Sequence, residues 1–195
     1  VQATPVVWTA AALMTAGLLA KTALFPLHLW LPPAHANAPA AASAVLSGLV
    51  VKGSFFLLLR LWFYVLPSLP TEKVAAILGC LGSAAIILGS ILALRQARLK
   101  LLIAYSTVAQ IGYLFLVFPL AAGAQNWSMI GWSGGLMQVL AHAFAKAAMF
   151  FSAGLLAEAL GHDQIAKLWG AARVLPLTFL TLALGGLSLV GLPPS

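Results

Sequence analysis

Along this chain apolar residues come in runs of about twenty, the length an α-helix needs to cross the hydrocarbon core of a bilayer. Six such runs stand out: Val6–Trp30, Ser43–Leu66, Val74–Leu94, Leu101–Leu120, Gly131–Leu156 and Val174–Leu192. The stretches between them are short and hold proline, glycine, asparagine or charge, as in "PPAHANAP", "PSLPTEK", "RQARLK" and "GHDQIAKLWGAAR". The pattern predicts an all-α fold, a polytopic transmembrane helix bundle of about six spans that forms a single membrane domain over residues 1–195. Small residues four apart, such as Ala44 and Gly48, Gly79 and Ser83, and Gly131 and Gly135, fit close helix contacts in lipid. Trp8, Trp30 and Trp62 fall near predicted helix ends, where indole rings favour the membrane interface.

Composition agrees with this picture and narrows it. Of 195 residues 63% are hydrophobic and 7% charged, with a mean hydropathy of +1.05. Soluble domains carry about 25% charged residues, so lipid must supply the outer boundary here. The net charge of +7 reads as a record of membrane orientation rather than of a polyanionic partner, and no nucleic acid is expected. Arg95, Arg98, Lys100, Lys167 and Arg173 follow the odd-numbered spans, against Lys73 and Arg60 near the exits of the even-numbered ones. This bias predicts that the odd-span exits are cytoplasmic. The single cysteine, Cys80, lies in an apolar run. It offers neither a disulfide framework nor a ligand set for an iron–sulfur cluster. The chain opens at Val1 without a charged leader and closes inside an apolar run, and is read as an internal fragment of a longer protein.

Charge inside the spans is where candidate chemistry enters. Lys21, Lys52 and Lys146 lie in three different runs. At about 1.5 Å per residue, Lys21 is roughly 13 Å from Trp30, Lys52 roughly 16 Å from Ala41, and Lys146 roughly 18 Å from Glu158. A lysine side chain does not fully reach the surface over such distances. Each central lysine costs about 2.5–3.5 kcal/mol on insertion, so three of them point to a polar pathway. The acids Glu72, Glu158 and Asp163 all sit at predicted ends or loops, so the lysines need partners from elsewhere in the protein, from another subunit or from water. His142 precedes Lys146 by four residues, which places both on one helix face, and Gln138 extends that face by a turn. An imidazole beside an intramembrane lysine can pass a proton in either direction. Ser43, Ser47, Ser106 and Thr107 are placed to hold water between such groups, with Ser47 and Gln138 the preferred pair.

Prolines give a second signal. Pro26 follows Lys21 by five residues and removes a backbone donor from the first run, so the first span is expected to break near it. The last run ends in "GLSLVGLPPS", where Pro193 marks a second break in a truncated span. Interrupted helices of this kind survive in lipid where protein or a watery cavity satisfies the freed carbonyls.

At this point the chain resembles a known family. "LLAKTALFPLHLWLPPAHANAPAAASAVLSGLVVKGSFFLLLR" is similar to the central motif of the antiporter-like membrane subunits of respiratory complex I, the NADH:quinone oxidoreductase. Mrp-type cation/proton antiporters and membrane-bound hydrogenases share that motif. "LKLLIAYSTVAQIGY", "LAHAFAKAAMFFSAG" and "PLTFLTLALGGLSLVGLPP" follow in the family's order. The resemblance covers nearly the whole chain but only part of a family member. It implies a multi-pass protein of a bacterial or archaeal inner membrane that moves protons through buried lysines, histidines and water. Lys21 matches the lysine of the family's broken helix, which pairs with a glutamate on an upstream helix. Lys52 matches a lysine of the next helix, and His142 and Lys146 match the central-axis pair. Two departures stand out: Gln138 replaces a further histidine, and "LPPAH" lacks the acid that commonly follows "LP".

The leading expectation is therefore a proton-translocating subunit of an NADH:quinone oxidoreductase-like complex. It has no catalytic centre, cofactor or metal in this chain, and its partners are lipid and other membrane subunits. The alternatives are a Na⁺/H⁺ antiporter subunit of the Mrp type or the membrane subunit of a proton-pumping hydrogenase. A haem anchor using His28, His35, His142 or His162 lacks a histidine pair with ligand geometry. A purely structural scaffold leaves three buried lysines without a reason.

Overall fold

The computed structural model describes residues 4–66, 69, 71–123 and 125–191, without the side chains of residues 125–128. Five helices are long and apolar enough to cross a membrane, and a shorter apolar helix follows them. In chain order they are α1 (Pro5–Thr22), a short α2 (Leu31–Asn37), α3 (Ala40–Val65), α4 (Thr71–Leu94), α5 (Leu99–Ala121), α6 (Gln125–Leu160) and α7 (Pro176–Val190). The all-α polytopic bundle expected from the pattern is what the chain forms. Element lengths differ from the apolar runs at both extremes. With 36 residues, α6 is about 54 Å long at 1.5 Å per residue and extends beyond the roughly 30 Å of a hydrocarbon core. The last helix begins at Pro176 in its first turn, because a proline suits that position and cannot lie deeper in the helix.

The first span is broken near Pro26, as expected, although the helix itself ends earlier. Thr4 caps its start, accepting from the Val7 amide at 3.4 Å, with Pro5 in the first turn. At the other end Ala23 takes a left-handed conformation, with φ at 60°, and its amide and that of Leu24 bond back to Ala20 O and Leu19 O. Pro26 then lies in the turn that leads to α2, preceded by a cis peptide bond. Pro193 lies outside the described residues.

Polar pins fasten α1 to α3. Thr22 Oγ1 donates to Ser54 Oγ at 2.9 Å, and Trp62 Nε1 donates to Thr15 Oγ1 at 3.0 Å. Trp62, near the end of its helix, is therefore buried against α1. Trp30, by contrast, is exposed and donates to Ala20 O at 2.8 Å.

The closest helix pair is α4 with α5, and glycine is the reason. A Cβ on Gly82 would lie 2.7 Å from Gly112 O, and one on Gly89 2.6 Å from Ala109 N. Backbone thus meets backbone, the contact that drives helix association in lipid. Of the pairs chosen by spacing, Gly79 and Gly131 also meet neighbours closely, against Pro119 and Leu120. Gly135 of the same pairs packs as tightly, against Val117, whereas the backbone contacts between α4 and α5 belong to Gly82, Gly89 and Gly112, which the four-residue spacing did not single out.

Two apolar clusters fill the bundle. One joins α1, α3, α4 and α5 through Phe55, Phe115 and Phe118, whose rings meet at 5.4–6.0 Å between centroids. The other joins α5 and α6 through Ile103, Ala104, Met149 and Phe150. At one end of the bundle a clip ties the α4–α5 connection to the segment after α6. Leu99 N donates to Asp163 O at 2.8 Å, Ile165 N donates to Ala97 O at 2.9 Å, and Arg98 Nε meets Asp163 Oδ2 at 3.0 Å. With Lys100 and Arg95 nearby in sequence, this end is the basic face. The Arg98 side chain is 45% exposed, and exposed pairs are worth about 0–1 kcal/mol. Since the two backbone bonds remain, Arg98→Ala is expected to lower stability by less than about 1 kcal/mol, read as a small shift in thermal unfolding of the detergent-solubilised protein.

Candidate functional site

Between the two apolar clusters lies a run of buried polar groups. In α3 the turn Leu46–Val50 is a π-helix, in which the Val51 amide bonds Leu46 O, five residues back. Ser47 O thereby loses its usual donor four residues on, and it accepts a hydrogen bond from Lys52 Nζ instead. Such π-turns occur often at functional sites, and here the widened turn lets a buried lysine bond to the backbone of its own helix. The Ser47 hydroxyl lies 3.4 Å from Thr107 Oγ1 on α5.

Across this contact the chain of bonds continues to α6. Thr107 Oγ1 donates to Ile103 O at 2.9 Å, and Lys146 Nζ donates to the same carbonyl at 3.0 Å and to Ser106 Oγ at 2.5 Å. Ser106 Oγ also donates to Ile103 O at 2.9 Å. The Ile103 carbonyl is thus the hub for Thr107, Ser106 and Lys146, and Ser47 ties Lys52 to this group through two different atoms, its carbonyl towards Lys52 and its hydroxyl towards Thr107. Lys52 is 6% and Lys146 0% exposed. Neither lysine meets a carboxylate, since Arg98–Asp163 is the one ion pair among the described residues. Hydrogen bonds to charged groups are worth about 1.5–3 kcal/mol each, which offsets part of the cost of burying the two ammonium groups.

Six of the residues singled out in the sequence come together here: Ser47, Lys52, Ser106, Thr107, His142 and Lys146. His142 lies one helical turn before Lys146, fully buried, and no protein group among the described residues bonds either of its ring nitrogens. Gln138 lies a further turn away and donates to Gln110 Oε1 at 2.7 Å, while Gln110 donates to Leu189 O on α7 at 2.9 Å. Gln138, Gln110 and Ser106 line an open, largely apolar cleft of about 840 Å³ beside α5, α6 and α7. Through Ser106, Lys146 touches the wall of that cleft.

Lys21 stands apart. It is exposed in the last turn of α1, where a cation suits the helix dipole, and no hydrogen bond holds its Nζ among the described residues. The three lysines are alike in position along their helices but not in burial. Sequence reasoning also passed over the Ile103 carbonyl, which has no side-chain signature, and Gln110, a lone amide in an apolar run.

His35 is the other group missed, having been weighed only as a haem ligand. It is buried in α2, stacked on Phe150 of α6 with ring centroids 4.4 Å apart and planes 19° from parallel. The Ser43 hydroxyl donates to its carbonyl at 3.3 Å. Burial first, and then the charges on Lys146 and Lys52, push its imidazole down to about 4. The ring is therefore neutral at pH 7.

Known proteins are similar to this chain in sequence and in fold. The model of a family described as NADH:quinone oxidoreductase/Mrp antiporter, TM, matches residues 2–195. The chain is 38% identical over 192 residues, 98% of its length, to NADH-quinone oxidoreductase subunit N of Desulforudis audaxviator, covering 37% of that protein. It is 36% identical over 91% of its length to F(420)H(2) dehydrogenase subunit M of Methanosarcina mazei, covering 34% of it. Among solved structures, the archaeal membrane-bound sulfane sulfur reductase aligns with a TM-score of 0.84 at 32% identity, over 94% of this chain and 36% of that one. The Mrp complex from a Dietzia species aligns at 0.86 with 27% identity, over 98% of this chain and 34% of its own. The chain spans a little over a third of the length of these relatives. A match along almost every residue, together with a common fold, places this chain in the NADH:quinone oxidoreductase/Mrp antiporter transmembrane family.

Proposed function

We propose that the complete protein moves protons across a membrane, as a subunit of an NADH:quinone oxidoreductase-like complex. The observation that supports this most is the cluster of buried polar groups that brings Lys52 and Lys146 together, with Ser47, Thr107 and Ile103 O between them. Intramembrane lysines that face the bundle interior are costly, and in membrane proteins they mark proton or ion routes. Two ammonium groups on one polar thread repel each other, so a charge arriving at one end favours release at the other. His142, one turn from Lys146, can accept and return a proton without leaving its place. Lys21, exposed on α1, pairs in this scheme with a carboxylate carried elsewhere in the complete protein. Redox groups belong to partner subunits, and the basic face with Arg98, Lys100 and Arg173 is the cytoplasmic one.

The test uses the complete polypeptide in its native complex, reconstituted into liposomes with a pH-sensitive dye. Lys52→Met is expected to lower proton flux at least tenfold while the complex still assembles. Wild-type flux from an assembled Lys52→Met complex would refute the route. Flux that needs Na⁺ would instead favour a cation/proton antiporter of the Mrp kind.

A further inference from the structure

We infer that His35 hands protons between the buried lysine–histidine series and the basic face, as the last side chain before solvent. This rests on the proton-transport reading above and extends it to a residue outside the long spans. Three observations support it. His35 is 0% exposed, yet Pro33 and Asn37, two positions away on either side along α2, are both exposed, so the short helix itself reaches the surface. Its ring stacks on Phe150, which follows Lys146 by four residues and His142 by eight. Those three positions share one face of α6, and His35 continues that line toward the basic end. Both ring nitrogens are buried, and no protein group among the described residues bonds either one. An imidazole buried this way is costly, and exchange with mobile protons gives a reason to keep it.

Charged and titratable groups approach α2 from each packed element. From α6 this is Lys146, and from α3 Lys52. From α5 comes Lys100, whose Nζ donates to Ala38 O at 3.1 Å and fastens the end of α2. The step is balanced: one ring nitrogen takes up a proton, the other gives up its own, and the neutral ring is left in its other tautomer. Reorientation of the ring or reverse transfer resets it. The neutral resting state of His35 fits a group that is charged only in passing.

The experiment measures dye-reported proton flux in liposomes holding the native complex, with His35→Gln, His35→Ala and Lys52→Met side by side. Glutamine keeps polarity and approximate size but cannot be protonated in this range. His35→Gln is expected to cut flux at least tenfold with an unchanged unfolding temperature. Free imidazole in the buffer is expected to restore flux to His35→Ala, which a packing role for the ring would not produce. Wild-type flux from His35→Gln, or loss in His35→Ala that imidazole leaves untouched, overturns the inference. Normal flux in Lys52→Met beside an imidazole-rescued loss in His35→Ala would remove the lysine route and keep His35 as a proton carrier.

Discussion

Lys146→Met in the complete protein is expected to abolish proton transport, by a hundredfold or more, while leaving the bundle at least as stable as before. The two halves of this expectation have one cause. Lys146 is fully buried and meets only neutral partners, the Ile103 carbonyl and the Ser106 hydroxyl. Its charge is thus held without a counter-charge among the described residues. Replacing buried ionic groups by apolar residues of similar volume is often neutral or stabilising by about 1–4 kcal/mol. Methionine has nearly the length of lysine and a flexible stem that fits irregular space. Nor is an acceptor orphaned, because Thr107 and Ser106 both still donate to Ile103 O. A structural lysine would show the opposite pattern, with lost stability and retained transport. Thermal unfolding and liposome flux measured on one preparation separate the two outcomes.

Gly82→Val is expected to cost about 3 kcal/mol and to lower the amount of folded protein in the membrane. The neighbour that a new side chain would meet is the Gly112 carbonyl, with Phe115 Cβ at 2.9 Å from the added carbon. Overpacked cores relax by shifting side chains, at about 1–3 kcal/mol, but a backbone carbonyl in the middle of α5 cannot shift alone. The whole helix must move out from α4. Because α5 also carries Ile103, Ser106 and Thr107, that movement would pull the hub carbonyl away from Lys146. Loss of flux should therefore accompany loss of stability in this variant, in contrast to Lys146→Met. An unchanged unfolding temperature would show that the α4–α5 contact is looser than the geometry implies.

Much of this architecture is legible in the sequence because hydrocarbon imposes simple rules. Runs of apolar residues mark the helices, and the break near Pro26 follows from a missing backbone donor. The series His142–Lys146 can be placed on one face from its spacing alone. What stays hidden shares a single reason. Rise per residue reports position along a helix axis, whereas burial depends on the angle around it and on which neighbour lies there. Lys21 and Lys146 look alike by the first measure and are opposites by the second. The burial of Trp62 is hidden for the same reason, since nearness to a helix end says nothing about the α1 surface it meets. The Ile103 carbonyl and the widened turn at Leu46–Val50 belong to the backbone, and no side chain announces them. His35 does carry a signal, an imidazole amid the small residues and prolines of "PPAHANAP", but its significance depends on Phe150, more than a hundred positions away.

The widened turn in α3 also has an evolutionary side. A π-turn fits one extra residue into a helix without rotating the segments on either side, whereas an extra residue in a plain α-helix would turn everything beyond it by about 100°. A relative lacking one residue in Leu46–Val50 would keep Ser43 and Phe55 on their present faces and would differ only in having every carbonyl of that turn paired. Insertion or deletion of a single residue is thus a switch for whether the backbone offers a lysine somewhere to bond. Helix length at this point, more than the choice of any side chain, is what such a membrane protein can vary to gain or give up a charged station without rebuilding the bundle around it.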